Sequence, residues 1–503
     1  MLALAAYAVC ALAIWVEPDW RPEWDGALYV LTGRSLAEGG GYRYQGQSFV
    51  LRPPGFPWLI SLVSEGPFDA ARVNRLVMGC AAASVAAAYL AFARSHGRAL
   101  ALGAAWLAGT SPLVVERFNW VFSEFPFMTL LYLGFACAEL AAGGPRARLA
   151  ALLAALALAG AFWVRTVALV ALPGLGVLAL LQPTPVRRAR LLGVLGATLL
   201  LCAPWWLWAR AVGAGPSDQL YLADYATALL RVDPGDPGSA WLSPAAWLAR
   251  LGGNGVWLLR TLGDAMLGAF HAGAGALVAT LVAVGVVRAW RRTPSLADAF
   301  GVGYVGLLLA YFVHDARLVT PLAPLLYLHL LGGAAALGGL VEARAPRASA
   351  RRLAAGLACG ALLLANAARL PSTLDPRSAP MLTDLGAERT LGARWNDVRR
   401  VARWLRENTP TDAVILAHDA PLYALLAERR TFTHRFAPGP RLLRRYAPDF
   451  VVFDRRTREG QRFAAFVAGR ATRRWIVPSD QFEGGIAVFE LRKPGDGRHY
   501  DPR

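Results

Sequence analysis

Eleven stretches of the 503-residue chain carry little or no charge: roughly 1–16, 71–93, 98–115, 121–142, 148–163, 165–181, 190–209, 262–287, 298–313, 317–340 and 352–370. Each is about as long as the roughly 20 residues a helix needs to cross a bilayer core. In that core every backbone amide must be satisfied within the chain, which a helix does for itself. The pattern predicts a polytopic α-helical membrane protein of about eleven transmembrane helices. Apolar residues make up 56% of the chain and charged ones only 17%, too few charges for a soluble protein of this length. The first block is short, but no small-residue cleavage site follows it, so a retained span is expected and not a signal peptide.

The net charge of +18 would suggest nucleic acid in a soluble chain. Here its placement gives another cause. Arg94 and Arg98, Arg146 and Arg148, Arg187, Arg188 and Arg190, Arg288, Arg291 and Arg292, and Arg344, Arg347, Arg351 and Arg352 fall in alternate short loops. Every one of these loops agrees with a single positive-inside orientation. The N-terminus is then cytoplasmic, in a bacterial inner (plasma) membrane. Loops 17–70 and 210–261 and the tail from 371 lie on the periplasmic or extracellular side. No nucleic-acid partner is expected; membrane lipids are. Lys493 is the only lysine, so no phosphate-binding loop of the G-x-x-x-x-G-K-[ST] type exists to drive transport with ATP. All five cysteines lie within the expected spans, and their spacing suggests neither disulfides nor zinc.

Past Pro371 the chain changes character. "NDVRRVARWLRENTP" has the periodicity of an amphipathic helix. "AVILAH", "DFVVFD" and "IAVFEL" read as short strands, with a helix at "PLYALLAERR" between two of them. Two units follow: a membrane domain over 1–370 and a small exported α/β C-terminal domain over 371–503. Within loop 210–261, tryptophan-bearing helical stretches fit the headgroup layer, as simple anchors or as a lateral gate for a lipid. No internal repeat of the kind that builds many transporters is present.

Ionisable groups at span ends are costly and usually have a purpose. The exported turns bring Asp25 with Glu17, Asp19, Glu23 and Arg52; then Glu116, Arg117 and Glu124; then Arg165; then Arg210; then His314, Asp315 and Arg317. Carboxylates beside arginines suit a site that holds an anion and also needs a base. Structural roles stay open for each. Asp25 is a favoured helix N-cap residue, the span-end arginines fit interfacial snorkelling, Arg52 fits an ion pair with a first-loop acid, and His314 fits a structural role. "GVGYVG" at 301–306 has dinucleotide-fingerprint letters but lies inside a span, where glycines serve helix packing.

"EWDGALYVLTGRSLAEGGGY" followed by "RPPGFPWLISL" resembles the first exported loop of the membrane-embedded GT-C glycosyltransferases. These include protein O-mannosyltransferases, lipid A aminoarabinose transferases and bacterial lipopolysaccharide sugar transferases. "FSEFPF", "WVRTVALVALPGL", "APWWLWARAVGAG" and "HDARLVTPLAPLL" continue the likeness in order. The resemblance implies sugar transfer from a polyprenyl-phosphate donor to a lipid, glycan or protein acceptor outside the cytoplasm. It implies Asp25 and Glu124 as the catalytic acids, and Arg165, Arg210 and Arg317 as holders of the lipid phosphate. Arg52 and His314 join the substrate-binding candidates. Mannosyltransferases carry Asp-Glu in the first loop, whereas Gly26 follows Asp25 here, and no Asp-x-Asp occurs. No motif therefore supports a divalent metal, and no cofactor is expected.

The chemistry is consistent with that family. A sugar phosphate already has a good leaving group, so the site needs a base for the acceptor and fixed cations for the departing phosphate. Attack from the opposite face predicts inversion at the anomeric carbon. Trp24, Tyr29, Tyr42 and Tyr44 are expected to form a sugar-stacking wall. The alternative is a transporter or flippase of a polyprenyl-linked sugar. It would place charges or broken helices near the middle of the spans, whereas the charges here gather at one end.

Overall fold

The computed structural model describes residues 7, 16, 24–64, 69–143, 145–213, 225–234, 239–292, 294–344, 349–374, 391–433, 443, 446–454, 460–461 and 485–490. The expected first span, apart from Tyr7 and Val16, and the acids Glu17, Asp19 and Glu23 lie outside the described residues.

The chain is a mostly helical membrane protein. Helices α1 (Trp24–Ala37) and α2 (Gly55–Ser61) form the first loop, and α3 (Ala70–Ala93) is the first complete apolar helix described. There follow α4 (Arg98–Thr110), α5 (Glu124–Ala141), α6 (Ala147–Val164), α7 (Ala171–Leu180), α8 (Pro185–Val212), α9 (Pro244–Leu267), α10 (Ala272–Arg292), α11 (Leu296–Ala310), α12 (Ala323–Arg344) and α13 (Ala350–Leu374). Among the described residues seven helices are long and apolar enough to cross a bilayer: α3, α5, α6, α8, α10, α12 with its leading turn, and α13. Segments 166–180 and 296–310 are shorter apolar helices.

Two expected spans are divided. Within block 98–115, α4 stops at Thr110 because Ser111 is extended and Pro112 opens a separate turn over 112–115. A proline cannot donate the backbone bond that would continue the helix. The block 262–287 is cut at Gly268, whose φ of +69° closes α9 with bonds from Gly268 N to Asp264 O and from Ala269 N to Gly263 O. That left-handed conformation is open to glycine at little cost. Residues 262–267 thus finish α9, and the spanning helix begins at Ala272.

The end of "EGGGYRYQG" enters a hairpin over Arg43–Ser48. Strands β1 (Arg43–Tyr44) and β2 (Gln47–Ser48) pair antiparallel through a turn with positive φ at both Gln45 and Gly46, the geometry that matches strand twist. Helices α14 (Leu391–Asn408) and α15 (Ala420–Ala427) accompany β3 (Val414–Ala417), β4 (Arg430–Thr433), β5 (Phe450–Asp454) and β6 (Ile486–Glu490) in a sheet ordered β4-β3-β5-β6. Strand β3 runs parallel to both neighbours, and β6 is antiparallel to β5. The Gln45 side chain reaches this sheet twice. It donates to Thr431 O at 2.9 Å and accepts from Thr431 N at 2.9 Å. Helix α15 also packs on α1.

Gly55 sets how closely the first loop approaches α6. A Cβ there would stand 2.5 Å from the Trp163 carbonyl oxygen and 3.0 Å from Val164 N. Neither backbone atom can rotate away. Gly55→Ala is expected to cost about 1–3 kcal/mol through overpacking. The measurement is the thermal midpoint of the detergent-purified protein; an unchanged midpoint would contradict this packing.

Candidate active site

Helix breaks bring the polar residues together. Helix α6 ends because Arg165 is extended (φ −148°, ψ 124°), and a 3-10 turn over Thr166–Val170 follows. Helix α11 ends before Tyr311 in the same way, and the 3-10 turn Ala316–Leu322 precedes α12. Asp315 caps that turn, its Oδ1 accepting from Arg317 N at 2.9 Å. The charged side chains therefore start from chain that is already leaving the helical ladder.

Asp25 stands in the first turn of α1, buried, with its two oxygens divided between two guanidiniums. Arg52 Nη2 donates to Oδ1 at 2.8 Å, and Arg317 Nη2 lies 2.7 Å from Oδ2. Burial alone would raise the Asp25 carboxyl. The Arg52 and Arg317 charges outweigh it and hold the group well below the usual carboxylate range. The contact with Asp25 in turn pushes Arg52 up against the opposing effect of burial. Arg317 Nε also meets Asp315 Oδ2 at 2.7 Å, and its guanidinium lies over the Phe122 ring at 4.9 Å. Arg117 approaches Asp315 at 4.0 Å.

The network continues from Arg52. Its Nη1 donates to the Tyr29 hydroxyl at 3.1 Å and its Nε to the Tyr225 hydroxyl at 2.9 Å. The Tyr29 and Ser123 hydroxyls are hydrogen-bonded at 3.0 Å, and Ser123 accepts from Arg165 Nη1 at 3.2 Å. The same Arg165 nitrogen meets Glu124 Oε1 at 2.5 Å. Glu124 is 1% exposed, and its Oε2 has no hydrogen-bond partner among the described residues. Among the described residues these ion pairs and hydrogen bonds join Arg52, Arg117, Arg165 and Arg317 with Asp25, Glu124 and Asp315 in one connected, largely buried cluster. An arginine-rich cluster of this kind suits an anion.

Of the residues singled out by sequence, the structure brings Asp25, Arg52, Glu124, Arg165 and Arg317 together. Arg210 is exposed on the last turn of α8 and joins none of these contacts. His314 belongs to a neighbouring group. Its Nε2 lies 2.6 Å from Asn254 Oδ1 and its ring stacks on Trp257 at 5.2 Å, while Asn254 donates to the Leu309 carbonyl at the end of α11. Of the expected aromatic wall, Tyr29 and Tyr42 contact Arg52, and Tyr44 lies apart from it. Tyr44 packs with Leu28 and Phe49, and the Tyr42 hydroxyl donates to Arg52 O at 2.9 Å. Ser123 and Tyr225 were not legible as site residues, since a neutral serine or tyrosine near a span end carries no signal of its own.

No family model and no curated protein sequence matches the chain. Its fold matches solved structures. ArnT from Cupriavidus metallidurans in the apo state is 14% identical, with a TM-score of 0.55 over 97% of each chain. The same protein bound to undecaprenyl phosphate gives 14% identity and a TM-score of 0.54, again over 97% of each. The oligosaccharyltransferase AglB from Archaeoglobus fulgidus, in complex with an inhibitory peptide and a dolichol-phosphate, is 12% identical. It aligns with 90% of this chain and 68% of its own at a TM-score of 0.54.

Removing one member of a buried ion pair strands the other. Arg165→Ala is expected to destabilise the protein by about 3–5 kcal/mol, and adding Glu124→Gln to recover much of the loss. Thermal midpoints of the single and double variants test this; additive losses would contradict the pairing.

Proposed function

We propose that this chain, which has the GT-C fold seen in ArnT and AglB, is a membrane glycosyltransferase. It moves a sugar from a polyprenyl-phosphate donor to an acceptor on the exported face of a bacterial inner (plasma) membrane. The observation that carries the reading is the buried Asp25 carboxylate shared by Arg52 and Arg317, with the Arg165–Glu124 pair beside it. The alternating arginine loops support a cytoplasmic N-terminus and a site end that faces outward.

The donor head is a phosphate diester whose departing monoester must carry extra negative charge. Arg52 and Arg317 are fixed cations in a largely water-excluded cluster, where such stabilisation is strongest. Arg165 extends it. Binding of the phosphate draws both guanidiniums away from Asp25, so the carboxylate loses its stabilising partners and its proton affinity rises. Asp25 then takes the acceptor's proton as the acceptor oxygen bonds to the anomeric carbon and the carbon–phosphate oxygen bond breaks. Attack opposite the leaving group inverts the anomeric centre. The free Oε2 of Glu124 accepts from a hydroxyl of the sugar or acceptor.

Two variants separate this arrangement from a purely structural ion cluster. Arg317→Ala is expected to weaken binding of undecaprenyl phosphate roughly tenfold or more, read by native mass spectrometry. Asp25→Asn removes the competing anion while keeping its size, and is expected to bind the same lipid at least as tightly as the wild type. Weaker binding in Asp25→Asn, or unchanged binding in Arg317→Ala, would overturn the proposed competition.

A further inference from the structure

A second buried polar cluster lies at the other end of α11. That helix runs from Leu296 to Ala310 and delivers the Asp315–Arg317 turn to the site. Asp298, in its first turn, stands about 18 Å along the helix axis from Ala310 at 1.5 Å per residue. His96, in the turn after α3, and His329, on α12, converge on it. His329 Nε2 lies 3.0 Å from Asp298 Oδ1, and His96 Nε2 lies 3.5 Å from the same oxygen. One atom from each residue falls within 4.8 Å of the others.

Three features mark these atoms as ligands for an ion. First, their spacing fits. Four-coordinate zinc holds His nitrogen and carboxylate oxygen at about 2.0–2.2 Å, which places neighbouring ligand atoms about 3.3 Å apart. Second, they lack hydrogen-bond partners. Asp298 Oδ1, His96 Nε2 and His329 Nε2 are buried, and none completes a hydrogen bond of acceptable geometry among the described residues, despite lying so close. Buried polar atoms are almost always satisfied, so three unsatisfied ones within 4.8 Å of one another call for an occupant. Third, the other polar side-chain atoms of Asp298 and His96 are tied down. Asp298 Oδ2 accepts from Ser295 N at 3.2 Å in a capping box, and His96 Nδ1 lies 2.9 Å from Ser95 Oγ. With Nδ1 donating to that hydroxyl, Nε2 carries the lone pair, which is the outer-shell arrangement found around metal-bound histidines.

We propose that His96, Asp298 and His329 bind one divalent transition-metal ion of the zinc class. Two imidazoles and a single carboxylate suit such an ion; magnesium and calcium call for oxygen-rich sets. Glu139, at the end of α5, interacts electrostatically with His96 and Asp298. The ion ties the turn after α3 to α11 and α12, the two helices on either side of the Asp315–Arg317 turn. Its role is a brace for that turn. It is separate from the sugar chemistry, and no spacing motif announces it because its ligands come from three distant segments.

The test uses the full chain in detergent, purified without added metal, with metal content read by inductively coupled plasma mass spectrometry. About one zinc-class ion per chain is expected. After chelator treatment, added Zn²⁺ should restore the thermal midpoint, and added Co²⁺ should give a ligand-field absorption band. His96→Gln and His329→Gln should each lose the ion, and the affinity should fall by more than the tenfold or so that follows loss of an outer-shell partner. Should His329→Gln fail to fold, His96→Gln, in a turn outside the helices, carries the same test. A wild-type protein with no bound ion, and no response to Zn²⁺ or Co²⁺, would overturn the proposal and leave a protonated-imidazole ion bridge. Metal retained equally by His96→Gln would overturn it as well.

Discussion

The arrangement at the site end depends on one carboxylate with two cationic partners. Asp25 is buried, and an isolated buried carboxylate would cost several kcal/mol. Arg52 and Arg317 remove that penalty only if the first loop, the 3-10 turn before α12 and α1 meet at one point. The shared ion pair therefore works as a geometric constraint before it works as chemistry. From it the Arg52–Tyr29–Ser123–Arg165–Glu124 chain follows, each group placed by the one before. The close approach of Gly55 to the backbone of α6 lets the Arg52 and Arg165 ends of this chain share one cluster.

The same constraint prepares the site for an anion. Guanidiniums held by a carboxylate are already desolvated and oriented, so a phosphate that replaces the carboxylate meets donors needing little reorganisation. Arginine suits this exchange because its planar fork bonds carboxylate and phosphate in the same geometry. The hairpin at Arg43–Ser48 and its amide pair with Thr431 hold the sheet-bearing segment against the loop that carries Asp25.

Much of this was legible in the sequence, for definite physical reasons. Charge-free blocks mark helices because a bilayer tolerates few charges, and Asp25, Glu124, Arg165 and Arg317 stood out because charge at span ends is costly. What failed to show depended on backbone detail or distant pairing. The break at Gly268 was hidden in an apolar run, since glycine in a membrane helix serves packing as often as termination. The tight hairpin over Arg43–Ser48 depends on positive φ at Gln45 and Gly46, which the sequence alone does not announce. His314 carried the right chemistry at the right end, but Asn254 and Trp257 hold it in a neighbouring group. Arg210 was placed near the site by order along the chain alone. His96, Asp298 and His329 are unremarkable apart and meet only in three dimensions.

The central claim is transfer of a sugar from a polyprenyl-phosphate donor, and the most direct measurement is made on the cell envelope. Mass spectrometry of the lipids, glycans and polyprenyl-phosphate sugars of a deletion strain should show one envelope glycan losing a sugar while its lipid-linked donor accumulates. The wild-type chain should restore both pools, and the Asp25→Asn chain should restore neither. Unchanged pools in the deletion strain, or full restoration by Asp25→Asn, would contradict the account.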